Sequence, residues 1–129
     1  MESLVAVFLT AVAIIALMPM QDMSLRTSTR SDFLGKAAGI MQTELELQEA
    51  YIMKAANPVT LGATSKAIKA SDTAGVDGDS AFNVVTTISN NPAAPIAGIS
   101  WIVNVQVTWT GNTTGIRSSI IVARQSGFE

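Results

Sequence analysis

From Ser3 to Gln21 the chain carries no charge, and the run Leu4-Val-Ala-Val-Phe-Leu-Thr-Ala-Val-Ala-Ile-Ile-Ala-Leu-Met-Pro-Met20 is apolar on every side. As one helix, this stretch rises about 28 Å, close to the hydrocarbon thickness of a bilayer. A secretory signal peptide is a poor match, because Glu2 stands where a basic residue belongs. A buried core helix would need more surrounding protein than this chain supplies. The pattern predicts a membrane-spanning helix over residues 1–24. Pro19 removes a backbone donor near its end and is expected to kink or loosen it around Met18 to Asp22.

Beyond Gln21 the pattern becomes one-sided. Leu25, Leu34, Ala38, Met41, Leu45 and Ile52 recur at helical spacings, and Phe33, Ile40 and Leu47 form an adjacent column. Together they predict the core face of an amphipathic helix, with Glu44, Glu46, Glu49 and Lys54 on its outside. Gly35 and Gly39 weaken that helix by roughly 1 kcal/mol each relative to alanine, so another contact must compensate. Asn57-Pro58 ends it, since the residue before proline avoids the α region. The expectation is one helix to about residue 56, about 80 Å long.

Residues 57–80 are rich in Ala, Gly, Thr, Ser and Asp, lack periodicity and read as a loop, with a short turn of helix at Thr64 to Ala70. Phe82 to Ile88 is β-branched and alternating, and Asn90 to Gly98 breaks it with two prolines. Trp101, Val103, Val105, Val107 and Trp109 then share one face of a strand, opposite Ile102, Asn104, Gln106 and Thr108. Gly111-Asn-Thr-Thr-Gly115 is a turn, and Ile116 to Arg124 returns as the partner strand. The predicted class is α+β: a long N-terminal helix, apolar in its first third and amphipathic after it, packed on a small antiparallel sheet of about three strands. The head would span 25–129, with a β-meander over 81–125.

Composition narrows the chemistry. The chain has 129 residues, 48% of them hydrophobic, with a net charge of −2 and neither Cys nor His. Disulfides, thiol nucleophiles, His-based triads and nearly all zinc sites are thereby excluded. The scattered Lys and Arg residues leave no nucleic-acid footprint. No nucleophile–base pair or acid pair stands out, so an enzyme is not expected and no cofactor is implied. Arg26, Arg30 and Lys36 follow the span, and counted alone they would place the C-terminal part in the cytoplasm. Any residues preceding Met1 would enter the same count, so it does not fix orientation.

A glutamate heading an apolar helix, Pro19 behind it, an amphipathic continuation and then an antiparallel sheet resemble the type IV pilin and type II secretion pseudopilin family, closest to minor pilins. Glu2 matches the family's signature glutamate and Pro19 its helix-loosening proline, at the family's separation. Met1-Glu-Ser-Leu-Val-Ala-Val7 looks like the start of a mature pilin lacking its first three residues. The family's cleavage-site glycine, basic leader and methylated aromatic first residue are not in the sequence; either it starts inside the mature portion of a precursor, which the resemblance favours, or Met1 is a genuine start. Val105-Gln-Val-Thr-Trp-Thr110 with Arg117 to Val122 resembles the sheet hairpin of minor pilins and some pseudopilins. Without cysteines, the chain does not fit the subgroup with a C-terminal disulfide loop.

The resemblance implies a bacterial filament subunit, held in the inner membrane before assembly and then in an extracellular pilus or periplasmic pseudopilus. Its partners would be copies of itself, related pilins and the pilus assembly machinery. Glu2 would pair with the N-terminal amine of a neighbouring subunit. Leu4, Val5, Phe8, Leu9, Val12 and Ile15 would pack the filament core, and Pro19 would let the helix loosen on assembly. The alternative is a single-pass membrane-anchored β-domain that binds a partner or ligand without polymerising.

Other features have plainer readings. Asp72, Asp77 and Asp79, interleaved with Gly75 and Gly78, are weak candidates for a calcium loop, but the closing bidentate glutamate is missing. Asn112-Thr-Thr114 matches a glycosylation sequon inside a turn where those residues are expected anyway. Trp101 and Trp109 fit packing better than a ligand platform. Phe8, Phe33 and Tyr51 lie roughly 38 and 27 Å apart along one helix, too far for electron-carrying contact within a chain.

Overall fold

A computed structural model describes residues 2–70, 80–94 and 98–124. The first element, α1, is a helix over Glu2–Met53. It runs through Pro19 without a break, so the loosening expected around Met18 to Asp22 is not seen in the chain alone. One proline costs about 3 kcal/mol by leaving the Ile15 carbonyl without its donor, and the uninterrupted ladders on either side hold the helix across it. Thr10, Thr27 and Thr29, all exposed, fold their hydroxyls back onto the carbonyls four residues earlier at 2.8–3.0 Å. Asp22 and Arg26 pair across one turn at 3.1 Å, both well exposed, a contact worth a few tenths of a kcal/mol.

By compactness the chain forms two units, Met1–Gly35 and Lys36–Glu129. The division falls further along the helix than residue 24, where the apolar run stops. The second unit contains the rest of α1 packed on a four-stranded sheet: β1 (Gly62–Lys69), β2 (Ala81–Asn90), β3 (Ser100–Trp109) and β4 (Asn112–Ala123). The strands follow one another in space in chain order, and each pairs antiparallel with the next.

The fourth strand corrects the sequence reading. Residues 57–80 are not all loop, and the stretch expected as a helical turn at Thr64 to Ala70 supplies most of β1. Its side chains are small or polar and, Ile68 apart, exposed, so no hydrophobic alternation marks it. Backbone pairing of Gly62–Lys69 with Ala81–Ile88 makes it a strand. The hairpin is also tighter than expected: β3 ends at Trp109 and β4 begins at Asn112, with Gly111 at φ 87° in the turn.

The alternation in β3 is realised. Trp101, Val103, Val105, Val107 and Trp109 are all buried, beside Phe82, Val84 and Thr86 of β2 and Val122 of β4. Phe82 and Trp109 face each other across the register with ring centroids 6.2 Å apart. The helix contributes Ala37, Leu45 and Ile52. Each large side chain buried here is worth about 1.5–3 kcal/mol against exposure, which fixes which sheet face meets the helix.

The helical stripe keeps Leu45 and Ile52 of the predicted one but is narrower and shifted toward Ala37 and Glu44, and Leu25 is exposed. Ala37, Glu44, Leu45 and Ile52 are buried with Phe33, Ile40, Met41 and Gln48 half-buried, whereas Leu34, Ala38 and Leu47 are exposed. Glu44, expected on the outside, is inside.

The helix ends at Met53, a turn earlier than about 56, and its C-terminus is closed from a distance. No basic residue lies in its last turn. Instead Arg124 donates from Nε to the Ile52 carbonyl at 2.5 Å, and from Nη2 to the carbonyls of Lys54 at 3.1 Å and Asn57 at 2.5 Å. Its guanidinium lies 5.1 Å from the centre of the Trp101 ring. One cation thus satisfies open carbonyls, meets the negative end of the helix dipole and stacks on the core. Arg124→Ala is expected to lower stability by about 2 kcal/mol, and Arg124→Lys to recover less than half of that, because an ammonium cannot form the fork. Chemical unfolding followed by tryptophan fluorescence checks both; equal stability of Arg124→Ala and the parent chain would remove this role.

Candidate assembly surface

Within the first unit the expected packing residues occupy a broad arc of the helix. Leu4, Phe8, Val12 and Ile15 stack one turn above another, with Val5 and Leu9 beside them. All six are exposed, Leu4 by 75% and Phe8 by 69%. Val7, Ile14, Leu17 and Met18 on the other side are equally bare, so the surface is apolar all round. None of the most apolar window of α1 is buried by the chain itself, and α1 is long and apolar enough to cross a membrane. Glu2 lies in the first turn, where the positive end of the helix dipole favours an acid. Among the described residues, no contact joins Glu2 to a cation of its own chain in the ion pairs found.

In the second unit one polar cluster escaped the sequence reading. The Glu44 carboxylate is buried, ion-paired with Lys66 of β1 through Oε2, and accepts hydrogen bonds at Oε1 from Gln48 Nε2 at 3.0 Å and Thr86 Oγ1 of β2 at 3.2 Å. Burial pushes its pKa up, but the hydrogen bonds from Lys66 and Gln48, the lysine's charge and the Thr86 hydroxyl outweigh it and hold the carboxyl below its ordinary value. Lys66 reaches Glu44 because its register partner is Val84, on the helix-facing side of the sheet. A helical spacing pattern cannot reveal this pair, since its partner lies on an element with no hydrophobic signature.

Beside this cluster, α1 and β1 border an open groove of about 490 Å³. Gly39, Ile40 and Leu47 of the helix and Ile68 of β1 give it apolar walls, and Lys36, Lys66 and Lys69 stand around it. On the opposite sheet face, Val85, Thr87, Asn104, Gln106 and Arg117 surround a shallow depression of about 250 Å³.

The remaining candidates separate cleanly. Trp101 and Trp109 are core residues, 5% and 8% exposed. Asn112 uses its Oδ1 to accept from the backbone N–H groups of Thr114 at 3.1 Å and Gly115 at 2.9 Å, a turn-closing role. Phe8 and Tyr51 are both exposed. Among the described residues no three of His, Cys, Asp and Glu gather as metal ligands, and Asp72, Asp77 and Asp79 lie outside the described residues. No known protein family, curated protein or solved structure shows significant similarity to the chain.

Proposed function

We propose that this chain is the subunit of a filament of the type IV pilin or pseudopilin kind, built by stacking the apolar N-terminal helices of successive copies or of related chains. The observation that carries the reading is the first unit itself: a helix bare and apolar on every side, interrupted by no charge from Ser3 to Gln21 and opened by Glu2. Such a surface needs either lipid or other helices around it, and a filament core supplies the second after the membrane supplies the first. Head-to-tail contacts that do not close on themselves generate filaments rather than rings. Apolar packing by Leu4, Val5, Phe8, Leu9, Val12 and Ile15 provides affinity. A carboxylate that must find a cation on a neighbour provides register.

Pro19 has a place in this scheme. It leaves α1 one bond short at a single point, so that is where the helix would open if assembly stretched it. Hydrogen exchange at Pro19 to Arg26 should then be faster in filaments than in the flanking turns; equal protection would remove the hinge.

The decisive variant is Glu2→Ala. It should insert into membrane as the parent does, while filament yield falls by about tenfold or more, as expected from removing one partner of a desolvated pair. Imaging of sheared surface material with this chain as sole subunit reads the result, and normal filaments from Glu2→Ala would sink the mechanism. The polar depression around Asn104, Gln106 and Arg117 favours the second reading, an anchored β-domain that binds a ligand through its sheet. Under that reading the parent chain forms no filaments at all.

A further inference from the structure

Resting on the filament reading, we propose that neighbouring copies also join edge to edge, β4 of one copy pairing antiparallel with β1 of the next. Both strands are edges, since the sheet order is β1-β2-β3-β4. Among the described residues, no backbone group of a loop or turn bonds to the backbone of Gly62–Lys69 or Asn112–Ala123. An open edge is a template for another strand unless proline, a bulge or charge blunts it. Neither strand contains proline, β4 has Arg117 as its one charge, and Lys66 of β1 is drawn aside onto Glu44. The register slip lies before Ile116, and from there to Ala123 β4 pairs regularly.

The two edges fit each other. Strand direction alternates across the sheet, so β4 runs opposite to β1, and a copy displaced sideways without inversion presents its β4 antiparallel to the neighbour's β1. That step keeps the sheet-packed part of α1 on one face and in one direction in every copy, and it leaves an open edge at each end of the array. The register follows from the sheet's own rungs. Thr64, Thr86, Val105 and Ser118 stand in one line across the four strands, so an unstaggered continuation sets Ser118 of one copy beside Thr64 of the next. Ser119 then meets Ala63, Ile120 meets Gly62, Arg117 meets Ser65 and Ile116 meets Lys66. The half-buried Ile120 falls where Gly62 has no side chain and where nothing lies within 4 Å of the position of a Cβ. Ile116 lies along the alkyl stem of Lys66, whose ammonium is held by Glu44, at the mouth of the groove beside α1. No like charges oppose each other across the five rungs.

The test uses the full chain in filament-producing cells, and the chain has no cysteines of its own to interfere. Thr64→Cys with Ser118→Cys, and Ala63→Cys with Ser119→Cys, probe two successive rungs. Rungs of an antiparallel pair alternate in spacing, so one of the two double variants brings its Cβ atoms close enough for a disulfide. Oxidised filaments of that variant should run as a ladder of cross-linked chains on non-reducing gels, and each single-cysteine variant should give no ladder. Charge supplies a second readout. Ser65→Lys, added to the ladder-forming variant, sets like charges opposite each other with Arg117 of the neighbour and should lower ladder yield about threefold; adding Arg117→Glu should restore it. Within one chain Ser65 and Arg117 are three strand spacings apart, about 14 Å, so the unfolding midpoint in detergent should not move. Filaments that give no ladder from either double variant, a ladder indifferent to Ser65→Lys, or a loss that Arg117→Glu fails to restore overturn the edge pairing and leave the filament reading standing. Absence of filaments from the parent chain overturns both.

Discussion

Replacing Gly115 by alanine should cost about 3 kcal/mol or more and unfold the sheet-bearing unit at markedly lower denaturant. Gly115 sits in β4 at φ 60°, where the register between β3 and β4 slips between Val107 and Trp109. An L-residue tolerates that conformation at about 1–2 kcal/mol. Space is the larger difficulty. A Cβ here would fall 1.9 Å from the Val107 carbonyl oxygen and 2.7 Å from its carbon, both backbone atoms of a central strand. Relief requires β4 to move off β3, which disturbs the pairing that sets Ile116 against Val107 and Val105 against Ser118.

Gly111 is the control. It also has positive φ, at 87°, but open space where its Cβ would go. Gly111→Ala should therefore show only the conformational penalty, about 1–2 kcal/mol. Both tryptophans of the chain lie in the core, so their fluorescence during urea unfolding of the detergent-solubilised chain reports this unit directly. Equal losses for the two variants would show that the bulge accommodates a methyl group and that the clash argument fails.

How far the sequence reveals this molecule depends on how each element is held. The apolar run is legible because its chemistry is a matter of composition alone. β3 is legible because it is central, and a strand with one buried face must alternate. β1 is illegible for the complementary reason: it lies at the sheet edge, buries little, and is fixed by backbone bonds to β2 that any side chains would permit. The helix stripe is legible at Leu45 and Ile52, and in part at Phe33, Ile40 and Met41, but too wide at Leu25, Leu34, Ala38 and Leu47, which are apolar without being covered by their own chain. A stripe written for a second contact looks the same as one written for the core. Glu44 was misplaced by the complementary error, since charge alone suggests solvent and only the pairing of Lys66 with Val84 turns a cation toward it. On the candidate site, position and hydropathy mark Glu2 and the apolar run, while the assembly roles of Glu2 and the six packing residues are what the family resemblance implies. The groove could not be read, because it needs β1 to exist.

Glu44 carries the second large expectation, and it can be separated from ordinary packing by its sign with pH. The carboxyl is held below its ordinary value of 4.5 despite burial, by Lys66, Gln48 and Thr86. A group depressed on folding contributes stability that is complete above the unfolded value and is lost as pH falls through the folded one. The parent chain should therefore lose stability below about pH 4.5 through this residue in particular. Glu44→Gln removes the charge but not the volume, and should cost about 2 kcal/mol near neutrality. That is less than a fully buried pair would lose, because the Lys66 side chain is 46% exposed and keeps part of its hydration. It should also flatten the acid limb of the stability curve.

Lys66→Met gives the opposite sign. The carboxylate stays buried with its cation gone, so burial dominates and its pKa rises above the unfolded value. Stability near neutrality falls by about 2 kcal/mol, and the carboxyl's contribution is now recovered, not lost, as the solution is acidified toward the unfolded value. Urea midpoints measured from pH 3 to pH 7 for the parent chain, each single variant and the double variant close the cycle. Parallel curves for the parent and Lys66→Met would mean that Glu44 does not depend on Lys66, and α1 would then be held to the edge strand by apolar packing alone.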